Sequence, residues 1–225
     1  QAIAALIATA MGAIGAATRD RERRWTAADV AARMDWALRA AHAHGTAAIR
    51  THLDSQPPQH AISWPVFAAM RDRWRGRIEL QAATIVMIER FEGAFGAELA
   101  DLVAAHGGLL GGVALPAPDL DRRLDRVFSL ATARGLDLDF HADESGDPEA
   151  RALAAIAEAK LRHRFAGTVT VGHCCSLAVQ DEATIARTLD LVAEAGVNVV
   201  SLPMCNLYLQ GRRSRGTPRW RGVTL

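Results

Sequence analysis

Three histidines stand where short apolar runs give out. His52 lies near the end of TAAIRTHLD (46–54), His141 closes LDLDFH (136–141) and His173 closes GTVTVGH (167–173). An imidazole near neutral pH can ligate a metal, carry a proton or donate a hydrogen bond. The densest group is the tetrad His141-Ala142-Asp143-Glu144. A histidine at a strand end can offer its lone pair to a divalent metal. A carboxylate three residues on, Glu144, can then reach back, take a proton from an activated water and pass it to a leaving group. The same tetrad also fits an ordinary salt-bridged loop. His173 follows Gly172, a residue that lets backbone approach a ligand closely. That makes His173 a candidate second metal ligand or a donor to a developing oxyanion.

Three other groups are read as structure. His42-Ala43-His44 has the spacing of a two-histidine metal motif, but it falls in the last turn of a helical pattern. Residues two apart there diverge by about 200°, and histidines at a helix end complement the dipole and the terminal carbonyls. Cys174 and Cys175 are adjacent at the end of a strand pattern, so their side chains are expected on opposite faces, as small buried hydrophobes. The segment 205–225 carries Arg212, Arg213, Arg215, Arg219 and Arg221 among Gly211, Gly216 and Pro218. It is expected to be an active-site loop or a subunit contact, the latter in a homo-oligomer.

The elements that must position these groups alternate. Helical patterns over 27–43, 64–75, 94–106, about 119–134, 148–163 and 180–195 each precede a strand pattern or follow one. The strands are expected at 46–54, 77–86, 109–115, 136–144, 167–175 and 197–203. Thr26 is a candidate N-cap and Gly45 a candidate stop for the first of these helices. Regular alternation implies a parallel sheet with helical crossovers. No GxGxxG or GxxxxGK[ST] turn follows any strand, which favours an eight-stranded (β/α) barrel over a nucleotide-binding open sheet. In LDLDFH, Asp137, Asp139 and His141 share one face; in AIRTHLD, Arg50, His52 and Asp54 do; in TVTVGH, Val169, Val171 and His173 do. A barrel turns one face of each strand inward and gathers chemistry at the C-terminal mouth.

Composition bounds the rest. The 225 residues are 50% hydrophobic and 23% charged, with a net charge of +1. That excludes a disordered tail and a strongly basic nucleic-acid binder. Aromatics at 5% leave too few rings for a single-strand stacking platform. Residues 1–18 are uncharged but rich in Ala and Gly, with no basic region ahead of them, and read as a packed helix rather than a signal or membrane span. Three cysteines do not form a disulfide framework, so a reducing cytoplasm is expected. The chain starts at Gln1 and stops after Val-Thr-Leu, which suggests part of a longer protein.

FHADE, then GHCCS 32 residues after its histidine, then SLPMCNLYLQGRR and TPRWRGVT resemble the cytosine deaminase branch of the amidohydrolase superfamily. RTHLD (50–54) and IELQ (78–81) fit the same family in the same order, and the resemblance covers roughly residues 26–225. It implies a metal-dependent (β/α)8 barrel with a small β-sandwich, of which residues 1–225 are a partial catalytic barrel domain. It assigns His141 as a metal ligand, Glu144 as the acid/base and His173 as the group that orients the attacking oxygen. The family's first-strand HxH is expected before residue 1 and its eighth-strand Asp after residue 225. The six strands would then be strands two to seven. Met87 stands where the family has a ring-binding Gln, and Gln81 lies six residues earlier. An apolar side chain leaves a ring amide unpaired, which points away from cytosine itself. The resemblance thus implies a zinc- or iron-dependent hydrolase that deaminates a small nitrogen heterocycle. The alternatives are hydrolysis of a cyclic amide or of an N-alkyl amine, or, outside this class, a non-catalytic binding barrel or open sheet.

Overall fold

The computed structural model describes residues 10–207, with side chains from residue 15. Two helices open it, α1 (Ala10–Arg24) and α2 (Ala27–Ala43). Then strands and helices alternate: β1 (Ala48–Asp54), α3 (His60–Trp74), β2 (Glu79–Ile85), α4 (Ala94–Ala105), β3 (Leu110–Ala114), α5 (Leu120–Thr132), β4 (Leu138–Ala142), α6 (Ala152–Arg162), β5 (Val169–His173), α7 (Glu182–Ala195), β6 (Asn198–Val200) and the short α8 (Pro203–Asn206). Residues 1–9 and 208–225, including most of the expected arginine-rich loop, lie outside the described residues.

The strands are parallel neighbours in chain order. β1 pairs with β2 through Ala48–Asp54 against Glu79–Ile85. β3, β4, β5 and β6 pair in turn, with Asp139 beside Gly111 and Thr170, and His141 beside Val113 and Gly172. Between β2 and β3 the ladder thins to two bridges, Ala83 with Leu109 and Met87 with Val113. Nothing reverses the order, as a doubly wound sheet would require.

Gly111 and Gly112 set how closely β3 passes its neighbours. Their φ angles are 144° and 156°, which side-chain-bearing residues rarely adopt. A Cβ at Gly111 would stand 1.9 Å from the carbonyl oxygen of Asp139, and one at Gly112 would stand 2.0 Å from that of Val86. Only glycine lets β3 pass this close to both neighbours.

The helices cover one face of the sheet. On α5 the buried residues Leu120, Leu124, Val127, Phe128 and Ala131 recur at helical spacing. Phe128 packs edge-on against Phe165 with ring centroids 5.2 Å apart and stacks on Phe140 of β4 at 6.1 Å. Leu138, Phe140, Val169 and Val171 face this layer and belong to the core. Thr26 caps α2 by accepting the Asp29 amide, and Gly45, at φ 81°, follows its end. Two helices differ in length from their expected spans. α3 begins at His60 and carries Pro65 in its interior, and α6 begins at Ala152 after a turn over 148–151. The last strand is confined to Asn198–Val200 before Pro203 opens α8.

Gly111→Ala should lower stability by about 3 kcal/mol or more. That sums a strained φ at about 1–3 kcal/mol and overpacking at about 1–3 kcal/mol. Gly45→Ala meets open space and should cost only the left-handed backbone, about 1–2 kcal/mol. Urea midpoints of the two variants make the comparison. Equal losses would remove the close approach as the reason for the Gly-Gly pair.

Candidate functional site at the C-terminal ends of the strands

The inner face of the sheet is polar from its middle upward. Asp139, 4% exposed, is the second residue of β4. Its Oδ1 accepts from His52 Nε2 at 3.0 Å and its Oδ2 from Arg50 Nη1 at 3.0 Å, both residues of β1. Arg50 also donates to Gln81 of β2 at 3.2 Å and to Thr170 of β5 at 3.4 Å. Burial alone would raise the Asp139 carboxyl, but His52 and Arg50 outweigh it and hold the group below its ordinary range.

His141 lies one pleat above Asp139. Its ring meets that of His52 edge-on, centroids 4.4 Å apart, and its Nδ1 lies 2.9 Å from His173 Nε2. Burial, with His52 and His173 alongside, pulls its pKa down to about 3. His141 is therefore a neutral imidazole. Its Nε2 is buried and has no partner among the described residues.

His173 reaches this spot by a route the alternation rule does not give. Thr170, not Val169 or Val171, shares the inner face with Asp139, so regular pleating would send His173 outward with the valines. A φ of 75° at His173 turns its side chain inward. Asp143 and Cys174 also have left-handed backbones, with φ of 52° and 49°. Three of the four non-glycine residues with positive φ among the described residues thus gather at this mouth, where strain often accompanies function. The strain is held by bonds between the two loops: Cys174 N donates to Ala142 O at 3.0 Å and Ser176 N to Asp143 O at 3.1 Å.

Within the tetrad the two carboxylates do different work. Asp143, 5% exposed, accepts the first amides of α6, Ala152 N and Leu153 N, both at 2.9 Å. Burial raises its pKa against the pull of those amides. Glu144 is freed to face the site. Its Oε1 accepts from Asn206 Nδ2 at 3.0 Å and lies 3.4 Å from His173 Nδ1. Asn206, 1% exposed, places its Oδ1 3.2 Å from His173 Nδ1.

His141, Glu144 and His173 therefore converge, with His52 beside them. The sequence reading did not single out Asn206, although it lies inside the quoted MCNLYLQGRR, and it did not assign Asp139 and Arg50 a joint role. Their alternation with His141 and His52 was the available signal. His42 and His44 lie elsewhere. His42 packs edge-on against Trp74 at 6.0 Å, and His44 Nδ1 donates to Ala40 O at 2.7 Å. Cys174 and Cys175 do not continue a strand, as had been expected; the strand ends at His173 and Cys175 opens a 3₁₀ turn. Both are nevertheless fully buried. Burial, with Asp143 and Cys175 nearby, pushes the Cys174 thiol up to about 12, which is no nucleophile. Met87 is half-buried just past β2 at the same end.

Among the described residues His52, Asp139 and His141 form a group able to hold a metal, their candidate atoms within 4.8 Å of one another. Both Asp139 oxygens are already taken, one by a guanidinium that supplies the countercharge. The atom best suited to an ion is the partnerless lone pair on His141 Nε2. The donor set fits a divalent metal in that sense.

Six parallel strands in chain order, with imidazoles and carboxylates at their C-terminal ends, define part of a (β/α)8 barrel with a hydrolase-like mouth. The amidohydrolase family model matches residues 100–225, more than half of the chain, and the chain belongs to that family. It is 55% identical over 216 residues to a pterin deaminase of Rhizobium rhizogenes, a match covering 96% of this chain and 49% of that protein. The crystal structure of a 5-methylcytosine deaminase from Klebsiella pneumoniae superposes with a TM-score of 0.83 at 26% identity, over 96% of this chain and 53% of that one. An N-isopropylammelide isopropylaminohydrolase from Burkholderia multivorans matches 72% of this chain and 42% of its own at 27% identity, TM-score 0.57. The chain thus spans about half the length of these relatives. No helix among the described residues is long and apolar enough to cross a membrane.

Thiol labelling tests the buried pair. With a pKa of about 12, Cys174 is ionised to about one part in 10⁴ at pH 8. Exposed Cys205 should alkylate in the native protein, while Cys174 and Cys175 should alkylate only after unfolding, as read by peptide mass mapping. Native labelling of either at the rate of Cys205 would contradict their burial as small hydrophobes.

Proposed function

We propose that the full-length protein is a metal-dependent aminohydrolase. It would replace the exocyclic amino group of a nitrogen heterocycle by oxygen, and residues 1–225 would form part of its one catalytic barrel domain. The observation that carries this is the convergence of His141, His173 and Glu144, with His141 neutral and its Nε2 lone pair buried and unspent. A divalent ion, zinc or iron, held at His141 Nε2 would supply Lewis-acid activation of water near neutral pH. The family resemblance assigns its remaining ligands to strands outside these residues.

The chain's own groups do the rest. Glu144 takes a proton from the attacking water and delivers it to the leaving nitrogen, so that water and the amino compound become the oxo compound and ammonia. Asn206 holds the Glu144 carboxylate by one oxygen. His173 faces the same point from β5, where it orients the attacking oxygen and polarises the tetrahedral centre. Asp139, fixed by Arg50, forms a charged floor that excludes apolar groups from below.

For the substrate, the 55% identity to a pterin deaminase favours a bicyclic aminopyrimidine such as pterin over cytosine. Hydrolysis of an N-alkyl amine on a triazine-type ring is the second reading, favoured by the likeness to the isopropylaminohydrolase. The enzyme would work on a small molecule in the cytoplasm, in line with three free cysteines, and as a homo-oligomer if the segment 205–225 is a subunit contact.

Glu144→Gln keeps size and removes proton transfer. In the full-length protein its metal content should stay near wild type while kcat falls by roughly 10²–10⁴. His141→Ala should lower metal content and turnover together. Metal analysis beside turnover of pterin, aminopyrimidines, cyclic ureides and aminotriazines reads both. Near-normal turnover by Glu144→Gln would remove that residue from the mechanism, and no wild-type turnover on any of the panel would sink the deaminase reading.

A further inference from the structure

Four side chains at the mouth form one unbroken line of hydrogen-bonding atoms. Glu144 Oε1 meets Asn206 Nδ2 at 3.0 Å, Asn206 Oδ1 meets His173 Nδ1 at 3.2 Å, and His173 Nε2 meets His141 Nδ1 at 2.9 Å. The far end is His141 Nε2, buried and without a partner among the described residues.

Each link of this line has a direction, and one end fixes it. A carboxylate only accepts, so the Asn206 group facing Glu144 must be its NH₂. The amide oxygen then faces His173 and can only accept, so His173 must carry a proton on Nδ1. The 3.4 Å approach of Glu144 Oε1 to the same nitrogen favours that proton as well. In neutral His173, Nε2 is then a lone pair and accepts from His141, which must carry its proton on Nδ1. A neutral His141 protonated there has its lone pair on Nε2.

We infer that Asn206 is a positioning residue that sets the tautomers of His173 and His141. Its amide transmits the charge of Glu144 along the line, so that His141 presents a bare Nε2 lone pair at the place proposed for the metal. This rests on the proposed role of His141 and adds its cause. A free imidazole prefers its proton on the other nitrogen, and a ring so protonated on Nε2 cannot ligate through that atom. The line holds the less common form by using a buried, oriented amide. In the resting site the one lone pair of His173 Nε2 is spent on the His141 Nδ1 proton, so His173 meets the attacking oxygen only once that bond opens. Alanine at 206 breaks the line, and aspartate sets one carboxylate against another.

The test reads tautomers, not turnover. Nitrogen-15 histidine spectra of metal-free, full-length protein should show His141 and His173 both protonated on Nδ1. In Asn206→Leu, which keeps the volume and removes both amide bonds, His173 should shift to the Nε2 proton, and zinc affinity by competition with a chromogenic chelator should fall by about 10–100-fold. Asn206→Ala should do the same and serves if the leucine variant does not fold. The inference is overturned if wild-type His141 carries its proton on Nε2, if His173 is doubly protonated in the resting site, or if both variants leave tautomers and zinc affinity unchanged. None of these readouts involves a heterocycle. Failure of every substrate above would leave this test standing, and failure here would leave the deaminase reading to its own kinetics.

Discussion

A carboxylate inside a parallel sheet has to find cations there, and Asp139 finds both of its partners on a strand that is not its neighbour. Arg50 and His52 belong to β1, three strands from β4 in the order of the sheet. In a flat sheet strands spaced about 4.8 Å apart would put β1 and β4 roughly 14 Å from each other. Contacts of 3.0 Å between their side chains are reached only if the sheet curls until the inner faces of β1 and β4 look at each other. The ion pair and the curvature imply one another. Curling removes water from Asp139, and without curling Arg50 and His52 cannot compensate its charge. Leaving a buried carboxylate without its partner is far costlier than the pair itself is favourable, so a loosely curled sheet is disfavoured at this point.

The same enclosure sets the chemistry above it. His141 is hemmed in by two other imidazoles and by burial, and all three effects favour its neutral form. Asp139 pulls the other way, but Arg50 and His52 already answer its charge. Arg50 and His52 thus let a carboxylate sit below the site without protonating the imidazole above it. The glycine pair of β3 serves the same packing from the side. Gly111 lies beside Asp139 in register, and the missing Cβ is what lets the two strands meet there.

Much of this was legible in the sequence, and the parts that were not share a cause. Helix and strand patterns gave the alternation, the inward faces of β1 and β4 and the strand-end positions of His52 and His141, because these depend on local periodicity. Tetrad spacing gave Glu144. The inward turn of His173 was not legible: period two puts it with Val169 and Val171, and only a left-handed φ, held by the loop bonds of Cys174 and Ser176, brings it round. Asn206 was hidden for a different reason. Its role lies in contacts to residues 33 and 62 positions away, and no local pattern marks an asparagine as bridging a glutamate and a histidine.

The division of labour between Asp143 and Glu144 shows why the tetrad is so compact. Two adjacent carboxylates at one mouth would repel if both faced inward. The left-handed turn at Asp143 sends its side chain to the amides at the start of α6, where a negative charge is favourable, and sends Glu144 to the other side. One turn of backbone anchors a helix and aims the Glu144 carboxylate at the mouth. Asp143 also binds the following loop through its carbonyl, which accepts from Ser176. The segments carrying Glu144 and His173 are thereby tied to each other before any ligand arrives, and Asn206, from a third segment, has only to close on a gap whose width is already set.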